Sequence, residues 1–369
     1  MIESTETRTS LKKVVVIGFP YTDKMDTGRG IDRYLATLHK FFIERGISLR
    51  IIEEGVVKPH PAQLLKNLLK VFIALRKSDG ELFHAVDPLG SVVAALAMKK
   101  KIITTIHDTI PLDGKAQMFN SIVFFLQKLV IKGSMNISKG IIVPFASTRD
   151  NLIKNFHVPA NKITVIHYAL DLNLEPLARF DMCQDTSDNN IKILFMGGGS
   201  PNDRGLDIVL KSFMEFVKNV PNATLTIVAR KGTISSENQK LLDGVKSSRI
   251  ETLEFIPDPQ LLPFIRKFSV FVYPSRLGFS YLVMQAMASG VPVIASNSRD
   301  MKDFLEDAGI MCNIDEVSCY VLALAKLSDK DFKKKLVKKQ YERLQAFALN
   351  NFYDEMNALY MRALGDAPN

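Results

Sequence analysis

Short apolar runs rich in β-branched residues recur along this chain, each followed by a stretch with helical spacing. This alternation limits the folds open to it more than any other feature. "KVVVIG" at 13–18 is the first run; a polar, glycine-bearing loop and a helix over 31–45 follow, Gly46 ends that helix, and "SLRII" starts the next strand. Further strands read as "LFHAV" near Leu82, "KIITTI" near Lys101, "GIIVP" near Gly140 and "KITVI" near Lys162. Strands separated by helices in this way predict a mainly parallel sheet covered on both faces, an α/β architecture.

The pattern stops and then restarts. From Leu172 to Asn190 the sequence is polar and irregular, ending in "DTSDNN", and reads as a linker. Beyond it come "IKILFMG", a helix over 206–220, "TLTIVA", "IETLEFI", a helix over 260–268, "VFVY" and "VPVIA". Helical patterns over 316–327, 331–349 and 353–364 close the chain. The 369 residues thus divide into an N-terminal domain (1–172), a linker (173–190), a second domain (191–346) and a C-terminal segment (347–369). Doubly wound sheets hold their ligands outside the carboxyl ends of the strands, so the expected site is the cleft between the domains.

Charge and cysteine content narrow the setting. No apolar run is long enough to span a bilayer and "MIESTETRTSLKK" carries no hydrophobic signal segment, which predicts a cytoplasmic protein. Cys183, Cys312 and Cys319 lack metal-ligand spacing, and their odd number argues against a disulfide framework, so reduced thiols are expected. The net charge of +9 is uneven: Lys58, Lys66, Lys70, Arg76 and Lys77 fall in one acid-free stretch, and Lys115, Lys128, Lys132 and Lys139 in another. Two readings follow. Either these are core-packed helices with solvated basic faces, Leu65, Leu68, Leu69 and Phe72 forming the buried side of the first, or they dock on anionic lipid at the inner face of the cell membrane. No nucleic-acid-binding motif accompanies the charge, so no nucleic-acid partner is expected.

Both domains open with the same device, a strand running into a glycine-bearing loop and then a helix. In the first, Gly28 and Gly30 precede the helix; in the second, Gly197, Gly198 and Gly199 follow the strand and Arg204-Gly205 precedes the helix. Glycine lets backbone N–H groups approach an anion, and a helix N-terminus adds partial positive charge. Neither loop fits the dinucleotide fingerprint or the P-loop pattern, which argues against a dehydrogenase or an ATPase. Two such loops at matching positions favour phosphate binding.

The segment "FIPDPQLLPFIRKFSVFVYPSRLGFSYLVMQAMASGVPVIAS" (255–296) resembles the donor-domain signature of glycosyltransferase family 4, whose retaining enzymes have the GT-B fold of two Rossmann-like domains facing across a cleft. "GRGIDRY", "FHAVD", "TIHDTIPL", "KITVIHYALD" and "ILFMGGGSPNDRGLD" extend the likeness, in order, over most of the chain. The resemblance implies an acceptor-side domain first, a nucleotide-sugar domain second, and a final helix crossing back, for which "NFYDEMNALYMRAL" is suited. It implies a diphosphate held by Arg204, which stands where the family has Lys, with Gly198 where the family has Arg. It also implies donor contacts from Gly28, Gly30, Gly199, Ile256, Gly278, Phe279 and Ser280, and from His107, which would polarise sugar hydroxyls as a catalytic residue beside Arg204. His84 reads as structural. The family's paired glutamates are replaced by Leu277 and Gln285; Gln285 keeps an acceptor oxygen for ribose, while Leu277 cannot hydrogen-bond.

The activity so implied is transfer of a sugar from a nucleotide-sugar donor to a hydroxyl of a glycan or lipid-linked acceptor, with retention and with no metal or other cofactor. Loss of both glutamates equally suits a non-catalytic binding partner or regulatory subunit of another transferase. A sugar-nucleotide epimerase on the same fold is disfavoured, since no cluster of carboxylates suits proton shuttling.

Overall fold

A computed structural model of the protein describes residues 11–18, 30–53, 61–109, 121–170, 190–197, 204–230, 232–244, 249–276 and 278–365. The chain forms two compact units, one made of Met1–Asp171 with Leu349–Asn369, the other of Leu172–Ala348. Most of the linker expected at 173–190 lies outside the described residues.

The first unit runs β1 (Lys13–Gly18), α1 (Gly30–Glu44), β2 (Ser48–Glu53), α2 (Pro61–Arg76), β3 (Leu82–Ala85), α3 (Pro88–Leu96), β4 (Ile102–Thr105), α4 (Ser121–Ile137), β5 (Gly140–Val143), α5 (Ala146–Phe156) and β6 (Ile163–Val165). Its six strands are all parallel, in the order β2-β1-β3-β4-β5-β6. Strands β3, β4 and β5 are buried at every residue, as strands sandwiched between helices must be. Local signals set the helix ends: Asp87 caps α3 by accepting from the Gly90 amide at 2.8 Å, with Pro88 at the first helical position, and Gly46 leaves α1 at φ 64°.

The second unit repeats the design with β7 (Lys192–Met196), α6 (Leu206–Phe216), β8 (Thr224–Val228), α7 (Ser236–Gly244), β9 (Ile250–Leu253), α8 (Asp258–Ile265), β10 (Val270–Tyr273), α9 (Tyr281–Ala288), β11 (Val293–Ser296), α10 (Arg299–Leu305), β12 (Ile310–Cys312), α11 (Val317–Lys326) and α12 (Lys330–Leu344). The strand order is β12-β11-β10-β7-β8-β9, again parallel throughout. In each sheet the winding reverses beside the first strand, at β1/β3 and at β7/β10, and the connections on either side of such a point leave a crevice at the carboxyl ends. The last helix, α13 (Leu349–Leu364), belongs to the first unit, where Phe352, Tyr353, Met356 and Tyr360 are buried and Asp354 pairs with Arg45 at 3.0 Å.

Two expectations are corrected. Cys312 and Cys319 form a disulfide, with Cα atoms 5.6 Å apart. The turn from β12 into α11 brings them together, and a spacing of seven residues carries no signal of that turn. On α2 the buried side is Val71 and Leu75, with Leu64, Leu68 and Phe72 packed beside them, whereas Leu65 and Leu69 are exposed together with Ile73. On α4, Phe125, Leu126 and Leu129 are likewise exposed. Among the described residues no helix is long and apolar enough to cross a membrane.

Candidate nucleotide-sugar site

At the β7/β10 reversal the second unit brings Arg204 and Gly205 of the glycine loop against Tyr273 and Pro274 at the end of β10. Gly197, at φ 136°, ends β7, and the aliphatic part of Arg204 lies 3.5 Å from where a Cβ on Gly197 would stand. The half-buried Arg204 then reaches the end of β10: its guanidinium sits 6.0 Å from the Tyr273 ring centroid and Nη1 donates to the Tyr273 hydroxyl. Tyr273 was not singled out by sequence; its position as the last residue of a buried strand is what puts its hydroxyl beside the loop. Gly205 is held even more closely. It adopts φ 73° and a Cβ there would fall 2.1 Å from the Pro274 carbonyl oxygen, so only glycine lets α6 start this near β10.

The loop after β10 is fastened on both sides. Arg276 donates to Asp207 of α6 at 3.4 Å and to Asp315 at 2.8 Å. Those carboxylates raise its pKa against the lowering effect of burial, which is the largest single influence on it. The Ser296 hydroxyl of β11 donates to the Ser275 carbonyl. Gly278 is buried at φ 83°, and Phe279 packs edge-on against Phe304 of α10 with centroids 4.8 Å apart. Ser280 caps α9, accepting from the Leu282 amide at 3.3 Å, so its hydroxyl is committed to the helix start. One carboxylate missed by sequence approaches this loop: Asp300, in the first turn of α10, puts Oδ2 3.0 Å from where a Gly278 Cβ would be. It arrives through a different crossover, so no spacing in the 274–285 segment announces it.

Gln285 lies on α9 and is only 5% exposed. Its side-chain carbonyl oxygen is buried with no hydrogen-bond partner among the described residues. A buried acceptor left empty costs about 1–3 kcal/mol, and native proteins keep few of them. Ile256 is half-buried just beyond the carboxyl end of β9. Gly28, Gly198, Gly199 and Leu277 lie outside the described residues, and Gly30 is the exposed first residue of α1.

In the first unit His107 follows β4, but its ring is already engaged. Nε2–H donates to the Val86 carbonyl at 2.9 Å, which leaves Nδ1 to accept from the Tyr168 hydroxyl at 2.9 Å. Desolvation lowers its pKa to about 4, so the imidazole is neutral at pH 7. Polarising a sugar hydroxyl, as the resemblance implies, requires one of these two bonds to be given up. His84 is fully buried between Tyr360 of α13 at 2.7 Å and Thr105 at 2.8 Å, a structural histidine, with a pKa lowered to about 3 by desolvation and by His107. Among the described residues no group of three or more His, Cys, Asp or Glu is placed to hold a metal ion.

Two family models divide the chain between them. Residues 28–174 match the glycosyltransferase family 4 domain, and residues 190–330 match the glycosyl transferases group 1 domain. The chain belongs to glycosyltransferase family 4. It is 24% identical over 238 residues to the O-antigen chain mannosyltransferase B of Escherichia coli, a match covering 60% of this chain and 61% of that protein, so it spans less than two thirds of the relative's length. Among solved structures it is similar to the sucrose-phosphate synthase of Thermosynechococcus elongatus, with a TM-score of 0.79 at 18% identity over 96% of this chain and all of that one. It is also similar to Anabaena HepE in complex with UDP-glucose, with a TM-score of 0.70 at 15% identity over 95% of this chain and 99% of that one. These likenesses give this family 4 chain the GT-B type of fold.

Proposed function

We propose that the protein transfers a hexose from a nucleotide-sugar donor to a hydroxyl of a glycan or lipid-linked acceptor, with retention of configuration. The observation that carries this reading is the buried, unpartnered carbonyl of Gln285, an acceptor of the right kind for a ribose hydroxyl on the helix where the family places its ribose-binding glutamate. The name of the E. coli relative suggests mannose and an O-antigen chain as donor sugar and acceptor class. The HepE complex is a precedent on this fold for a UDP-sugar donor.

The chemistry fits what these residues supply. As the bond from the sugar C1 to the diphosphate breaks, negative charge grows on the leaving oxygen. Arg204 and the amides at the starts of α6 and α9 stabilise that charge. The leaving phosphate oxygen takes the proton of the acceptor hydroxyl, and the acceptor oxygen bonds to C1 on the same face. No protein nucleophile and no metal is called for in this scheme. The guanidinium forks onto phosphate oxygens as lysine cannot, which compensates in part for glycine at position 198. Asp300 supplies a carboxylate to the loop that lost one at Leu277.

The acceptor is proposed to be reached at the cytoplasmic face of a membrane. Leu65, Leu69 and Ile73 form an exposed stripe on α2 beside Lys66 and Lys70, and Phe125, Leu126 and Leu129 are exposed on α4 beside Lys128 and Lys132. Apolar anchors flanked by lysines suit an anionic lipid surface. The test of activity is release of nucleoside diphosphate from UDP- and GDP-sugars in the presence of lipid-linked acceptors. Turnover that collapses in Arg204→Ala supports the reading. Tight donor binding with no turnover would instead favour the non-catalytic binding partner, which the loss of both family glutamates also suits.

A further inference from the structure

Among the described residues, one face of the second sheet is left partly open, from the amino end of β7 across to the β9 edge. The register pairs Lys192 with Thr224 across β7 and β8, and Leu194 with Thr226, Thr226 with Glu251 and Val228 with Leu253 across the three strands. Alternation then puts Lys192, Thr224, Thr226, Glu251 and Leu253 on one side, while Ile193, Leu225, Ile227 and Ile250 pack into the core on the other. The connection from β9 to β10 crosses back over the polar side and carries α8, a helix of eight residues, too short to cover the whole face. The result is a groove of about 700 Å³.

Its lining has three kinds of chemistry. Lys192, Arg249 and Lys267 bring positive charge, and Glu251 is the one carboxylate among the described lining residues. Thr226, 7% exposed, forms part of the floor and donates only weakly to Glu251, at 3.5 Å. Phe264 and Phe268, half-buried with ring centroids 5.1 Å apart, form an apolar wall. Cations are suited to a phosphate or carboxylate, the Glu251 carboxylate and threonine hydroxyls to ligand hydroxyls, and the aromatic wall to the C–H face of a sugar ring. A bare inorganic anion would leave the wall and Glu251 unused, and a neutral sugar would leave the cations unused.

We propose that this groove is a second binding site, for an anionic saccharide: a sugar ring carrying phosphate or carboxylate. On β7 the site reaches only Lys192 at the amino end, roughly 16 Å along the strand from Gly197, and from there it runs across β8 to the β9 edge, away from Arg204. The proposal stands whether or not the donor-site reading does, because it concerns binding alone.

Calorimetric titration and saturation-transfer NMR on the full chain test it with glucose 6-phosphate, trigalacturonate, glucose and inorganic phosphate. Saturable binding of one or both anionic saccharides is expected, at least ten-fold tighter than glucose or phosphate. It should weaken at least ten-fold in Lys192→Ala/Arg249→Ala and several-fold in Phe264→Leu, with Arg204→Ala having no effect. Preference for glucose 6-phosphate points to a free sugar phosphate as source, and preference for trigalacturonate to an acidic glycan chain. If the double variant fails to fold, Lys267→Glu is substituted, since Lys267 is exposed and outside the strands. The proposal is overturned if neither anionic saccharide binds, if phosphate binds as tightly as they do, or if binding survives the groove variants and is lost in Arg204→Ala.

Discussion

Replacing Gln285 by methionine should make the protein more stable and its donor binding weaker, an unusual pairing of signs that follows from one buried atom. Methionine matches glutamine in length and has no carbonyl to leave unsatisfied. Since the Gln285 carbonyl is buried without a partner among the described residues, removing it recovers the desolvation penalty of an empty acceptor, about 1–3 kcal/mol. Any bond made by the amide nitrogen is lost with it, at about 1 kcal/mol, so the net gain expected is roughly 1 kcal/mol. In a domain of this size that raises Tm by about 2–4 °C. If the carbonyl accepts from a ribose hydroxyl, the variant also loses a hydrogen bond worth about 0.5–1.5 kcal/mol, a rise in the Kd for UDP or GDP of roughly 2–10-fold. Thermal unfolding and calorimetric titration of the same two samples measure both. A variant that is less stable, with unchanged nucleotide affinity, would refute the assignment, since the amide would then be a packing residue with a partner of its own.

Three further outcomes are expected. Gly205→Ala combines a left-handed φ with a Cβ 2.1 Å from the Pro274 carbonyl, so it should destabilise the second unit by about 2–4 kcal/mol, read by urea unfolding; a loss below ~1 kcal/mol would mean that α6 can slide away from β10. His84 should make stability depend on acid: it stays neutral when folded down to about pH 3, whereas the unfolded chain binds a proton below about 6.5, so stability is held above pH 6.5 and falls between there and pH 3. From pH 7 to 5 its share is roughly 2 kcal/mol, and His84→Asn should flatten that part of the urea profile; half-buried His107, with its pKa lowered to about 4, contributes to the same fall. Leu65→Ser/Leu69→Ser should lower sedimentation with vesicles containing phosphatidylglycerol while leaving the fold intact, and equal binding to vesicles with and without anionic lipid would remove the membrane reading.

Much of the fold was legible because buried parallel strands need near-continuous apolar runs. "KVVVIG", "VFVY" and "VPVIA" became β1, β10 and β11 to within two residues. Helix ends were read less well: the helix expected to reach Val220 stops at Phe216, since the pattern is set by apolar residues that continue past the last helical turn. Which side of an apolar-rich helix is buried was read only in part for α2: Leu68 and Phe72 pack against the core and Leu65 and Leu69 do not, because these residues look alike until the sheet beneath is placed.

Taken alone, the order of residues determined two wound sheets, glycines before helix starts, and a guanidinium rather than an ammonium group in the loop that follows β7. Those are local properties, written in propensity and spacing. The folded chain alone decided that Arg204 lies over Gly197 and meets Tyr273, that Asp300 comes to Gly278, that Cys312 reaches Cys319, and that a carbonyl on α9 is buried with no partner among the described residues. Each joins residues brought together by crossovers or turns, and burial is a property of all the elements packed around an atom, which no single segment encodes.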